Sequence, residues 1–248
     1  MFFIDLNIFK YTLLLEGMKV VVLCGGKGTR LSEYTEQMPK PLIEVGGKPI
    51  LLHIMEMYAH YGFNEFVLCL GYKGEKIREY FGNMAQFEIE FVDTGIDSNK
   101  AERIMKIRDY VDTDDFFVTY GDDLSDIDLK ELLKFHKENK KIITLTAVDL
   151  MSPFGILEVN DKKEVINFKE KPKLSQLMNG GFYVFNKRIF DHIKKGYDLE
   201  RETFDNLAKQ KMIAAFYHKG FWKSMNTLKD VIELNETYAS GGAPWIRK

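Results

Sequence analysis

From Met18 onward, short runs rich in Val, Ile and Phe alternate with longer segments of helical period, and this rhythm restricts the fold more than any other feature. Parallel strands must be joined by crossovers of a dozen or more residues, which helices supply. The rhythm therefore predicts an α/β chain with a parallel sheet and helices on its faces. Strands are expected at Lys19–Leu23, Glu65–Cys69, Phe87–Val92, Asp115–Tyr120 and Ile142–Val148. Helices are expected at Ile50–Tyr61, Lys73–Phe81, Ala101–Tyr110 and Asp128–Asn139. This order is that of a doubly wound half.

Beyond Phe154 the texture changes to short alternating pieces, GILEV, EVINF and GGFYVF, which read as antiparallel additions to the same sheet in the C-terminal part. Helices are expected near Lys187–Lys194, Glu202–Gln210 and Leu228–Tyr238. No Pro-, Gly- or Ser-rich linker and no repeat interrupts residues 18–248, so a single domain is expected there. Residues 1–17 read as an extension to it. Their apolar patches are broken by Asp5 and Lys10, without the positive leader of a signal peptide or the length to span a bilayer.

A net charge of -2 gives no basic excess, which argues against nucleic acid and membrane surfaces as partners. Any polyanion must be bound locally. The only cysteines, Cys24 and Cys69, end two predicted strands and have no metal-ligand spacing, so a reducing, cytoplasmic setting is expected.

The segment VVVLCGGKGTRL, residues 20–31, places Gly25, Gly26 and Gly28 directly after the first strand. Glycines in such a turn expose successive backbone N–H groups, and without Cβ atoms they let phosphate oxygens come close. Arg30 adds a planar fork able to take two oxygens. The spacing is neither G-x-x-x-x-G-K-[ST] nor G-x-G-x-x-G, which disfavours kinases and dehydrogenases. Lys40 sits between Pro39 and Pro41, whose restricted backbones hold its ammonium near the phosphates at low entropic cost. Asp122 follows the apolar run FFVTYG, and ligands of open parallel sheets collect at the carboxyl ends of strands. Taken alone, an Asp there also reads as a helix cap or turn residue; as a metal ligand it suits Mg²⁺, which takes few carboxylates beside phosphate oxygens and water.

GGKGTRL and PKPLIEVGGKPIL, followed in order by YGDD, FKEKP, NGGFYVF, FWKSMNTLKD and APW, resemble the sugar-1-phosphate nucleotidylyltransferases. The resemblance covers nearly the whole chain from Met18, and VDTG with the GAPW tail is similar to the cytidylyltransferase members. It implies a Rossmann-like, Mg²⁺-dependent enzyme that joins an NTP, CTP before others, to a sugar 1-phosphate, glucose 1-phosphate before others, giving an NDP-sugar and pyrophosphate. By that resemblance Leu23, Cys24, Gly25, Gly26, Lys27, Gly28, Thr29, Arg30, Lys40, Ser98, Arg103 and Gly121 serve the nucleotide. Glu170, Lys171, Asn179 and Gly180 serve the acceptor, with Arg30, Lys40 and Lys171 acting on the reacting phosphates. Asp122 and Asn226 hold the metal, and a homo-oligomer is implied.

Three features depart from the pattern. Asn226 stands where the family carries a second metal-binding aspartate, so the metal should bind more weakly unless Asp123 or a substrate phosphate compensates. Ala101 and Glu102 replace a usual glycine pair, and a longer insertion before VDTG is missing. Two alternatives therefore stay open: another phosphorylated acceptor, such as an alditol or heptose, and a regulatory paralogue that binds a nucleotide sugar with little turnover.

Overall fold

A computed structural model of the chain describes residues 17–246. All of the expected extension but Gly17 thus lies outside the described residues. In chain order the strands are β1 (Val20–Leu23), β2 (Glu44–Val45), β3 (Lys48–Pro49), β4 (Glu65–Leu70), β5 (Glu88–Asp93), β6 (Asp115–Tyr120), β7 (Asp123–Ser125), β8 (Ile143–Met151), β9 (Ile156–Val159), β10 (Val165–Lys169), β11 (Lys173–Asn186), β12 (Ile213–Tyr217) and β13 (Trp222–Ser224). Among the described residues seven of them form one sheet in the order β12-β8-β11-β6-β1-β4-β5. Every pairing is parallel except those of β11, which runs antiparallel to both β6 and β8.

The central strands β1, β4 and β6 are buried on both faces because both faces are covered. In β1, Val20 and Val22 join a core cluster that includes the helix Ile50–His60. Val21 and Leu23 join a second cluster on the other face with Ile104 and Phe204. The chain leaves β1 for β4 on one side and later enters β6 on the other. The winding therefore reverses between β1 and β6, the crevice where open α/β sheets bind ligands.

The helix Lys100–Lys106 borders this crevice. Its start is fixed by a capping box, in which Asn99 accepts from the Glu102 N–H at 2.9 Å and Glu102 accepts from the Asn99 N–H at 3.0 Å. The expected helix Ala101–Tyr110 in fact ends at Lys106 and resumes as a 3₁₀ turn, Arg108–Tyr110.

The C-terminal part differs from expectation in four places. GGFYVF lies in β11, within the main sheet, but GILEV and EVINF form a separate hairpin of β9 and β10. Pro172, just before β11, has no N–H to continue the ladder, and Lys171 beside it takes a left-handed backbone with φ of 44°. Those two residues break the hairpin from the sheet. The expected helix Lys187–Lys194 is a 3₁₀ turn, Lys187–Asp191, and the segment expected as Glu202–Gln210 begins as a π-type turn, Leu199–Phe204, before Asp205–Lys209. Finally β12, which sequence reading missed, adds a parallel edge strand beside β8.

Candidate active site

The turn after β1 is shaped from below. The Gly25 carbonyl accepts from the Tyr72 N–H at 3.0 Å and from Arg103 Nη2 at 3.0 Å, which directs the peptide plane away from the crevice. A side chain at Gly25 has no room, since its Cβ would stand 2.3 Å from Arg103 Nη1 and 2.8 Å from the Gly71 nitrogen. Gly26 faces open space, and Gly28 takes φ of 63°, the left-handed region that favours glycine. The turn is thus held by buried groups on one side and open on the other.

Arg103 is 4% exposed, and its hydrogen-bond partners are neutral oxygens: Gly25 O, Leu70 O at 3.1 Å, Thr94 Oγ1 and, at 3.5 Å, Ile96 O. Burial lowers its pKa from the ordinary arginine value, opposed by the fields of Cys69 and Cys24 and then of Asp93 and Glu102. The structure therefore places this expected nucleotide contact beneath the loop, as a cation tying the loop to the ends of β4 and β5. Ser98 donates to the Thr94 carbonyl and accepts from Lys106 Nζ at 2.9 Å, which folds the 93–99 loop upon itself. Lys27 reaches across from the glycine turn to Asp97 at 2.9 Å.

Opposite the turn, Lys40 Nζ forms an ion pair with Asp122 and donates to Asn226 Oδ1 at 3.1 Å. The two prolines set this up, with Pro41 buried at the first turn of a 3₁₀ segment. Asn226 is oriented by its own donation to Ser224 Oγ at 2.7 Å and by its backbone N–H on Asp230 Oδ2 at 3.0 Å. A carboxylate and an amide oxygen thus converge on one cation. Among the described residues no cluster of three or more His, Cys, Asp or Glu forms a full metal cage. The pair fits Mg²⁺, which keeps few protein oxygens and takes the rest from phosphates and water.

Asp123, which sequence reading named only as a compensating charge, is 4% exposed at the start of β7, where it packs against β13. Burial first, and then the adjacent Asp122 charge, hold its carboxyl well above the ordinary 3.8, against a hydrogen bond from Ser224 and the fields of Lys40 and Arg30. Gly181 must be glycine beside it, since a Cβ there would stand 2.2 Å from Asp123 Oδ2. Cys24, with its thiol pushed up to about 12 by burial, is a packing residue at this wall and offers no nucleophile.

These groups line one cleft of about 720 Å³, which brings together Leu23 to Gly28, Arg30, Lys40, Ser98, Arg103, Gly121, Asp122, Asn179 and Asn226. Asn179 donates to the Tyr183 hydroxyl at 2.6 Å, and the carbonyl of its neighbour Gly180 accepts from Trp222 Nε1 at 2.7 Å. Glu170 and Lys171 are not brought there. They sit on the outer hairpin, about 60% exposed, with their charges 3.9 Å apart. Sequence reading missed Lys100, Asp198, Trp222 and Ser224, which also line the cleft. Trp222 and Ser224 stood inside the FWKSMNTLKD segment, whereas nothing local marked Lys100 or Asp198.

Fold and site define an α/β nucleotide-binding protein built around phosphate chemistry. The sequence matches the nucleotidyl transferase family over residues 19–241, and the chain belongs to that family. A glucose-1-phosphate cytidylyltransferase of Salmonella typhimurium is 42% identical over 92% of this chain and 98% of its own length. The bifunctional protein GlmU of Methanocaldococcus jannaschii is 34% identical over 88% of this chain and 54% of its own. The crystal structure of HddC from Yersinia pseudotuberculosis superposes with a TM-score of 0.70 at 23% identity, covering 89% of this chain and 99% of that one, a likeness of fold. Among the described residues no helix is long and apolar enough to cross a membrane.

Proposed function

We propose that this nucleotidyl transferase joins CTP to glucose 1-phosphate, giving CDP-glucose and pyrophosphate, with Mg²⁺ as its metal. A phosphate oxygen of the acceptor attacks the α-phosphorus in line. The bond to the bridging oxygen of the β-phosphate breaks, and pyrophosphate leaves with the electron pair. No general base is needed, because a phosphate dianion is already nucleophilic at neutral pH.

The N–H groups of Gly25 to Gly28 and the Arg30 fork hold the departing pyrophosphate. Lys40, steadied by Asp122 and Asn226, meets the α-phosphate, and with Mg²⁺ present those two oxygens would hold the metal in place of the lysine. When bound, the metal neutralises charge on the phosphate oxygens. Leu23, Cys24 and Gly121 border the nucleoside, with Ser98 on the loop above. Asn179 and its neighbour Gly180 serve the sugar; the family resemblance assigns Lys171 to the attacking phosphate and Glu170 to the sugar, although both lie outside the cleft. The reading includes residues 18–248 as one domain, a cytoplasmic setting and a homo-oligomer.

The observation that carries it is the meeting of an open glycine turn with the Lys40–Asp122–Asn226 group across one cleft. The test is a pyrophosphate-release screen of four NTPs against a panel of sugar and alditol phosphates, with and without Mg²⁺. CTP with glucose 1-phosphate is expected to give the highest kcat/KM. Strong preference for another pair changes the base or the acceptor, and no release from any pair ends the reading.

The amide at Asn226 favours one second reading, a nucleotide-sugar-binding paralogue with little turnover. Asn226→Asp separates the two: a gain in kcat of a hundredfold or more supports the paralogue, on the scale of a restored metal charge.

A further inference from the structure

Asn226 is where this site departs from a pair of acidic metal ligands, and an amide makes a demand that a carboxylate does not. The two oxygens of an ionised aspartate are equivalent, whereas an asparagine has one acceptor end and one donor end. Only the oxygen can face Lys40 or a metal; turned over, the group would point N–H bonds at a cation. An amide here therefore needs something behind it that fixes which way it faces.

Ser224, at the end of β13, supplies that contact. Its Oγ accepts from Asn226 Nδ2 at 2.7 Å, while Asn226 Oδ1 takes Lys40 Nζ at 3.1 Å. A hydroxyl alone does not choose, because it could equally donate to the oxygen of the reversed amide. The choice is made one step further back. Ser224 stands directly opposite Asp123 in the pairing of β7 with β13 and donates its proton to the Asp123 carboxyl group. Charged or neutral, that group keeps an oxygen to accept with, so Ser224 Oγ is left as an acceptor for the amide.

The backbone on either side is pinned as well. The Met225 N–H donates to the Asp122 carbonyl at 2.9 Å, and the Asn226 N–H to Asp230 Oδ2 at 3.0 Å. Asp123 is itself buried, against a glycine whose Cβ would stand 2.2 Å from its Oδ2. The chain of bonds behind Asn226 thus starts from the core rather than from a mobile surface acid.

We propose that Ser224, held by Asp123, is a positioning residue for the metal pair: it fixes the Asn226 amide with its oxygen toward the cation before the nucleotide arrives. The inference deepens the proposed function and rests on it, in that Asp122 and Asn226 are taken as the metal's oxygens. It makes the amide a compensated ligand rather than a lost one. Ser224 and Asn226 form one unit, and the benefit of the serine disappears once residue 226 carries two equivalent oxygens.

The experiment is a double-mutant cycle of wild type, Ser224→Ala, Asn226→Asp and the double variant. Its readout is the factor by which Mn²⁺, an ion of the same oxygen-ligand class as Mg²⁺, tightens CTP binding in calorimetric titrations with and without the ion. Ser224→Ala is expected to lower that factor roughly tenfold, the scale on which outer-shell partners orient metal ligands, with metal-free CTP binding within about twofold. In the Asn226→Asp background the same change should alter the factor by about twofold or less. Thermal melting confirms that each variant is folded.

A loss that persists in the Asn226→Asp background, or one shared equally by CTP without the ion, makes Ser224 a structural support and overturns the inference. An unchanged factor in Ser224→Ala overturns it too, as does a wild type whose CTP binding Mn²⁺ does not tighten. Magnetic resonance of the metal-free wild type adds an arm that needs no folded variant. Asn226 amide protons that exchange with solvent as fast as those of an exposed asparagine overturn the inference, and slowed exchange supports it. The pyrophosphate-release screen decides the proposed function separately. Coupling without turnover ends that reading and leaves the positioning role standing, whereas turnover without coupling does the reverse.

Discussion

The glycine turn after β1 and the hairpin of β9 and β10 carry the two halves of the proposed site, and they are built in opposite ways. Beneath the turn lie fully buried Val20, Val21 and Val22 and a buried guanidinium. The hairpin has almost nothing behind it: Leu157, Val159, Val165, Ile166 and Phe168 are each more than half exposed. In the proposed reaction, charge on a triphosphate would be met by backbone groups fixed before the nucleotide arrives, whereas Glu170 and Lys171 hang from a segment without a core. Preorganisation is concentrated on the nucleotide side.

The largest expected effect belongs to the metal wall. Asp122→Ala should lower kcat about 10³-fold, because it removes both the proposed metal oxygen and the partner of Lys40. Steady-state pyrophosphate release measures it, and a loss below tenfold would place the metal elsewhere.

Next comes a paired test of packing. Phe117 meets Tyr58 at 5.3 Å and Phe63 at 4.7 Å between ring centres, with no exposure. Phe117→Ala should cost about 3–5 kcal/mol. Phe168→Ala on the hairpin should cost about 0.5 kcal/mol or less. Equal costs in urea unfolding would erase the contrast between the two regions.

A subtler pair probes the turn itself. Gly25→Ala drives a methyl group into Arg103 and Gly71, and should cost about 1–3 kcal/mol with a loss of nucleotide affinity. Gly26→Ala meets nothing within 4 Å and should leave the melting temperature unchanged. Reversal of that order would mean the turn is not held from below.

The smallest effect is at the far end of β6. Burial works against ionisation of Asp115, but hydrogen bonds from His136 and Asn186 outweigh it and hold its pKa below the ordinary 3.8. Its contribution to stability is therefore present above about pH 4 and is lost as the pH falls through the folded-state value. Asp115→Asn should flatten the acid side of the stability curve in that window. An unchanged slope in acid titrations of the unfolding midpoint would remove Asp115 from the account.

Much of the nucleotide half was legible in the sequence. Val20 to Arg30 spell a strand and an open turn in consecutive residues, and the prolines around Lys40 fix its backbone locally. The proposed metal pair was harder to read, because Asp122 and Asn226 are 104 positions apart and meet only through β7 and β13. The reading of Arg103 shows the limit best. Its place was marked by resemblance, but its burial under Gly25 depends on where the helix Lys100–Lys106 docks.

By itself the sequence determined the alternating strands and helices, the glycine turn and the residue types a phosphate site needs, since period, turn chemistry and charge are local properties. Tertiary structure alone decided that the β9–β10 hairpin leaves the sheet, that Arg103 supports the turn from beneath, and that Asp123 and Ser224 meet behind Asn226. Those outcomes depend on which distant surfaces are buried against one another, and burial is settled by the whole fold.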